Sequence, residues 1–167
     1  MYCYTGRLFE EEVVGRCLWN CADYVPFRKA MTIVKNFQPW DPTDPSSPVM
    51  NDFHALLCEA LGLEDYSLIG IYTAVGSPLD LFHGIDVFVE WNNVFVTIDL
   101  TINSKKDEYK ADIILHEEDV YTEDGRVNRA RLQEVAHYTA LLLEAASLIP
   151  APVFARKMEA KVLSPLP

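Results

Sequence analysis

Ile85-Asp86-Val87-Phe88-Val89-Glu90-Trp91-Asn92-Asn93-Val94-Phe95-Val96-Thr97-Ile98-Asp99-Leu100-Thr101 reads as two β-branched and aromatic runs on either side of an Asn-Asn pair. Such runs favour strands. Asparagine tolerates the positive φ that both central residues of a type I′ hairpin turn require. A two-residue loop pairs Trp91 with Val94, Phe88 with Thr97 and Asp86 with Asp99. Side chains alternate along a strand, so Val96, Ile98, Leu100 and Ile102 point one way and Thr97, Asp99, Thr101 and Asn103 the other. On the partner strand Ile85, Val87 and Val89 lie opposite to Asp86, Phe88 and Glu90. Both aspartates then emerge on one face, with side chains about 5 Å apart.

Two ionised carboxylates at that distance repel by about 3 kcal/mol at an effective dielectric near 20. A shared proton, a basic neighbour or a divalent cation would offset the repulsion. The other reading is that the pair decorates the wet face of an antiparallel sheet. A one-residue change in loop length would also break the alignment.

Outward from the hairpin, Ser67 to Val75 has strand composition and is followed by a turn around Gly76, Ser77 and Pro78. Tyr109 to Leu115 is a fourth strand, and Val127 to Leu148 is the longest helix, stopped by Pro150. Pro152 to Arg156 is a short edge strand, and the last residues fray. Upstream, helices are expected over Leu8–Ala22, Pro26–Asn36 and Met50–Leu61, with the proline-rich Gln38–Pro48 as a loop. On a helical wheel Val13, Val14, Cys17 and Cys21 share a face with Glu10, which makes Glu10 an acid in the middle of an apolar stripe. Helices, then strands, then a helix predict an α+β or α/β fold with the sheet in the middle.

The 167 residues suit a single domain over 1–167, and half of them are apolar. No run approaches the roughly 20 apolar residues that span a bilayer, and one Arg followed by three acids in Met1–Glu12 is unlike a secretory signal. A cytoplasmic protein without membrane contact is expected. The net charge of −11 argues against indiscriminate binding to phosphate backbones. Cys3, Cys17, Cys21 and Cys58 could in principle form two disulfides, but they lack metal-ligand spacing and read as small buried core residues. His54 and His137 read as structural and His83 as a turn or packing residue. His116-Glu117-Glu118-Asp119 reads as an exposed acidic loop. Asp80, after Pro78-Leu79, is a rival to Asp86 but falls in an expected loop.

The segments His83-Gly84-Ile85-Asp86-Val87-Phe88-Val89-Glu90-Trp91 and Val96-Thr97-Ile98-Asp99-Leu100-Thr101 resemble the PD-(D/E)XK, or restriction-endonuclease-like, nuclease superfamily. In that family a helix bearing a Glu precedes a hairpin with an Asp, and an acid-x-Lys follows on the next strand. Gly6 to Glu10 resembles the helix element, Asp86 matches the first Asp and Asp99 the second acid. The resemblance implies a restriction-endonuclease-like core, with a central mixed β-sheet flanked by helices. It implies phosphodiester hydrolysis of nucleic acid, DNA first, by an enzyme that often acts as a homodimer. Asp86 and Asp99 would hold Mg²⁺ or Mn²⁺, Glu10 would ligate directly or through water, and Lys105 would orient the attacking water. The family lysine falls on Thr101, which carries no charge, so Lys105 or the adjacent Lys106 stands in for it. The strand-like Tyr109–Leu115 is extra, and Gln133 is the candidate polar helper on the long helix. The other implied reading is a catalytically inactive relative that binds a protein partner.

Overall fold

The computed structural model describes residues 5–19, 21–103 and 110–149. One four-stranded sheet runs in sequence order: β1 (Gly70–Thr73), β2 (Val87–Trp91), β3 (Val94–Thr101) and β4 (Ile113–His116). The first three form an antiparallel meander, and β4 lies parallel beside β3. Among the described residues six α-helices flank the sheet: α1 (Gly6–Val14), α2 (Phe27–Asn36), α3 (Pro48–Ala60), α4 (Pro78–His83), α5 (Glu117–Val120) and α6 (Arg129–Ser147). The fold is mixed α/β with a mixed sheet between helices, as the order of apolar periods predicts. Among the described residues no helix is long and apolar enough to cross a membrane.

The hairpin has the expected turn, with Asn92 at φ 51° and Asn93 at φ 61°. Its register runs from Trp91–Val94 to Val87–Ile98. One face of the sheet, carrying Val87, Val89, Val96, Ile98 and Leu100, packs against apolar residues of α1, α3 and α6. Phe88 on the other face joins Ala30 and Val34 of α2 and Leu79 of α4. Both faces are therefore dry. Asp86 is 2% exposed and Asp99 5%, which overturns the reading of the pair as decoration on a solvated face.

Several boundaries move, each for a local reason. The first helix starts where the Thr5 side chain accepts the Leu8 N–H, and it stops at Gly15 rather than reaching Ala22. Gly15 sits at φ 67°, and a Cβ there would stand 2.6 Å from the Trp40 ring, so glycine both ends α1 and seats the indole. Phe9, Val13 and Val14 still bury completely, each contributing roughly 1.5–3 kcal/mol of apolar burial. Cys17 lies beyond the helix, with its thiol on the Phe37 carbonyl at 3.3 Å. Ser67 opens no strand: Tyr66–Leu68 is a single 3-10 turn, and β1 begins at Gly70. The fourth strand is Ile113–His116, and Tyr109 and Pro152–Arg156 lie outside the described residues. His116–Asp119 is no exposed loop. Glu117–Val120 forms α5, and Asp119 is 9% exposed and bonded to Arg131 Nε at 2.7 Å. His54 is buried on the Ile69 carbonyl, and His83 Nε2 meets the Val25 carbonyl at 2.8 Å, both in packing positions. His137 is instead exposed on α6.

Candidate metal centre

The first carboxylate comes from the place where the hairpin ladder ends. The Asp86 N–H donates to the Ile98 carbonyl at 3.0 Å, while its own carbonyl accepts from Ala74 at 2.7 Å. Its side-chain Oδ2 accepts the Leu100 N–H at 2.7 Å, taking the part of a backbone acceptor for β3. This irregularity shifts Ile85 to the face of Phe88 and Leu79, against the simple alternation along β2. The second Asp86 oxygen makes no hydrogen bond among the described residues.

The second carboxylate comes from α4, a helix the sequence reading treats as a turn. The Ser77 hydroxyl accepts the Leu79 N–H at 3.1 Å, Pro78 opens the helix, and Gly84 at φ 64° closes it. Asp80 therefore sits on a helix rather than in a loop. Its Oδ2 accepts the Gly76 N–H at 2.7 Å and the Arg7 guanidinium at 2.6 Å. Gly76 adopts φ 84°, and a Cβ on it would meet Arg16 Nε at 3.0 Å and Arg7 Nη2 at 3.2 Å. A glycine there lets both arginines close over the turn.

The third carboxylate is Glu10, carried in by the α1 face that buries Phe9 and Val13. Glu10, Asp80 and Asp86 each offer one oxygen, and these oxygens all lie within 4.8 Å of one another. Two oxygens trans across Mg²⁺ stand roughly 4 Å apart, and across Ca²⁺ roughly 5 Å. The span is of ionic size, and an all-oxygen donor set suits Mg²⁺ or Mn²⁺. The residues present fit such an ion.

Electrostatics mark the same spot. Burial pushes Glu10 up to about 7, helped by Asp80 and Asp99 and opposed by Arg7. Burial likewise drives Asp86 well above the carboxylate range; Glu10, Asp80 and Asp99 add to this, and the Leu100 N–H only partly offsets it. The apo cluster thus holds protons where a cation would otherwise balance the charge.

Of the residues singled out from sequence, Glu10 and Asp86 meet, and Asp99 lies close enough to raise both, although it is not one of the three whose oxygens converge. Asp80 takes that third place. Lys105 and Lys106 lie outside the described residues. Thr101 is buried at the end of β3, and its Oγ accepts the Asn103 N–H at 3.0 Å. Gln133 is not at the cluster: it lines a shallow cleft between α3 and α6 with Leu56, Glu59 and His137. The cation that sequence reasoning missed is Arg7. Its signal was present in the spacing, since Arg7 and Glu10 stand three apart on one helix and approach to 3.6 Å. Family models, curated proteins and solved structures offer no match to this chain.

Proposed function

We propose that the chain is a metal-dependent phosphodiesterase of nucleic acid, built on a restriction-endonuclease-like core. One observation carries the reading: the half-buried carboxylates of Glu10 and Asp80 and the buried one of Asp86 converge on an ion-sized space, with one guanidinium beside them among the described residues. The helix–hairpin order of the family resemblance supports it, and so does the mixed sheet between helices. Glu10, Asp80 and Asp86 would hold Mg²⁺ or Mn²⁺, with Asp99 supplying further negative charge. When bound, the ion polarises the phosphate and lowers the pKa of an attacking water. Arg7, always protonated, holds the Asp80 side chain by a hydrogen bond to Oδ2 at 2.6 Å. It also brings a positive charge close to the cluster, where the family uses a lysine. Burial of Asp86 and Asp99 excludes water from the inner side of the cluster and strengthens every charge interaction within it. Unpaired thiols at Cys17, Cys21 and Cys58 accord with a reducing, cytoplasmic setting.

The test is a Mn²⁺ thermal-shift titration of the wild type beside Asp86→Ala, Asp80→Ala and Asp99→Ala. An ion held at a hundred times its Kd stabilises by about 2.7 kcal/mol. The wild type is expected to respond, Asp86→Ala and Asp80→Ala to lose the response, and Asp99→Ala to keep a weakened one. Equal responses from all four proteins, or none from any, defeats the metal reading.

A second reading has its own observation. Arg7 already sits on Asp80 at 2.6 Å, and Thr101 is neutral where the family lysine falls. A catalytically inactive relative that binds a protein partner would look the same. Partner binding unaffected by EDTA, with no cleavage of any oligonucleotide, would favour it.

A further inference from the structure

The helix that turns Asp80 toward the carboxylates turns a different surface outward. On α4 and the segment before α2, Tyr24 is 66% exposed and Leu81 50% exposed. Tyr24 meets the Phe82 ring edge-on at 5.5 Å and the His83 ring at 5.9 Å, and Phe27 meets His83 at 5.5 Å. Aromatic rings are thus held side by side at the surface, with His83 pinned by the Val25 carbonyl. Phe82 and His83 share α4 with Asp80 of the acidic cluster.

Charge is distributed around this patch in an unusual way. In a chain of net charge −11, Arg7, Arg16, Lys35, Arg126, Arg129 and Arg131 are each ion-paired. Arg28, Lys29 and Lys110 are the remaining described cations, and they make no ion pair among the described residues. All three adjoin the aromatic patch. Arg28 and Lys29 are exposed in the first turn of α2, directly after Phe27. The Lys110 stem lies over Gly84, where a Cβ would stand 3.6 Å from its Cδ, at the residue that closes α4. Lysines and an arginine without an ion pair among the described residues, beside the exposed Tyr24 ring and its half-buried neighbours, complement a ligand that is both anionic and flat.

We infer that this surface binds single-stranded nucleic acid, stacking bases against Tyr24 and its neighbours and setting phosphates against Arg28, Lys29 and Lys110. A duplex hides its base faces and asks for many phosphate contacts, which three cations on an acidic protein do not supply. An unstacked strand offers π-faces to aromatic side chains, and stacking tolerates any sequence. The inference deepens the phosphodiesterase reading by naming the form of the substrate, and it rests on that reading only for what happens to the strand after binding.

The experiment is fluorescence anisotropy of labelled fifteen-residue oligothymidylate, oligouridylate and a DNA hairpin with the full-length chain in EDTA, at two salt concentrations. Because no metal is present, failure of the catalytic reading leaves the result intact. The single strands are expected to bind at least fivefold more tightly than the hairpin. Tyr24→Ala, at an exposed position that leaves folding alone, is expected to weaken binding roughly tenfold. The double variant Arg28→Glu, Lys29→Glu is expected to lower the salt slope by roughly 1.4, the value for two phosphates on a single strand. Tighter binding of either single strand supports the inference and identifies the preferred sugar. It is overturned by absence of binding, by a preference for the hairpin, or by binding that needs the charges but ignores Tyr24, as a general anion surface would.

Discussion

Two regions of this molecule gather acidic side chains at short helices, and they settle the charge in opposite ways. On α5, Asp119 accepts the His116 N–H at 2.8 Å with one oxygen and Arg131 Nε at 2.7 Å with the other. Arg131 also reaches Glu134, so the local acids and the guanidinium form a closed network. Where α1, α4 and the start of β2 meet, the three converging carboxylates Glu10, Asp80 and Asp86 have, among the described residues, Arg7 as their one ion-pair partner, bonded to Asp80. A structural acid is matched where it stands; the second cluster keeps an excess of negative charge, and its carboxylates compensate by holding protons. Acidity as such therefore says little about function, whereas the balance of each cluster does.

The largest effects should come from removing charge at the unbalanced cluster. Asp86→Asn keeps an acceptor for the Leu100 N–H, so the fold should persist with its apo stability slightly raised. Cleavage of an oligonucleotide in Mn²⁺ should fall about a thousandfold, equivalent to roughly 4 kcal/mol of barrier. Retained cleavage in that variant would remove Asp86 from the chemistry. The matching change on α5, Asp119→Ala, should do the reverse. It breaks two charge-assisted bonds and should cost about 2 kcal/mol of stability in urea unfolding, while Mn²⁺ still stabilises the variant. Loss of the Mn²⁺ response in a folded Asp119→Ala protein would erase the distinction between the two regions.

Arg7 gives a smaller, sharper contrast. Arg7→Ala removes the cation that competes for Asp80, so Mn²⁺ should bind at least as tightly as in the wild type. Cleavage should nevertheless fall by about tenfold to a hundredfold if the guanidinium supplies the charge that Thr101 lacks. Unchanged cleavage would assign Arg7 to structure alone.

The sequence disclosed the hairpin because its determinants are local. Asn92 and Asn93 set the turn, and the turn sets the register as far as Val87 and Ile98. Glu10 was legible as an acid on an apolar helix face. Asp80 was not, because α4 is only six residues long and Leu79, Leu81 and Phe82 have no period over so short a span. The stop at Gly15 was hidden because it depends on the Trp40 ring, twenty-five residues further on, as much as on glycine itself. The parallel pairing of β3 with β4 also joins distant segments that no local pattern couples. Arg7 went unread because the family resemblance directs the search for a cation to the end of β3.

The smallest effect is also the most diagnostic of imbalance. A carboxylate whose folded pKa is raised binds more protons when folded than when unfolded, so rising pH must cost the folded state stability. For Glu10 the cost is absent below its ordinary value of 4.5, grows as pH rises toward about 7, and is complete above that. Asp86 extends the decline to higher pH, in the same direction. One group can contribute at most about 1.4 kcal/mol per pH unit, and for Glu10 the solvent contact of its carboxylate and the nearby Arg7 hold the total to about 1 kcal/mol. The apo protein should therefore be less stable at pH 8 than at pH 5, and Glu10→Gln should recover roughly 1 kcal/mol at pH 8 and flatten the profile. Mn²⁺ should recover the loss in the wild type, more strongly at pH 8 than at pH 5, because it binds the deprotonated form and releases protons. Asp119→Asn, at the balanced site, should leave the difference between pH 5 and pH 8 as it is in the wild type. Urea unfolding at the two pH values, with and without Mn²⁺, separates these outcomes, and a wild-type profile that rises with pH would show that the cluster holds no excess charge.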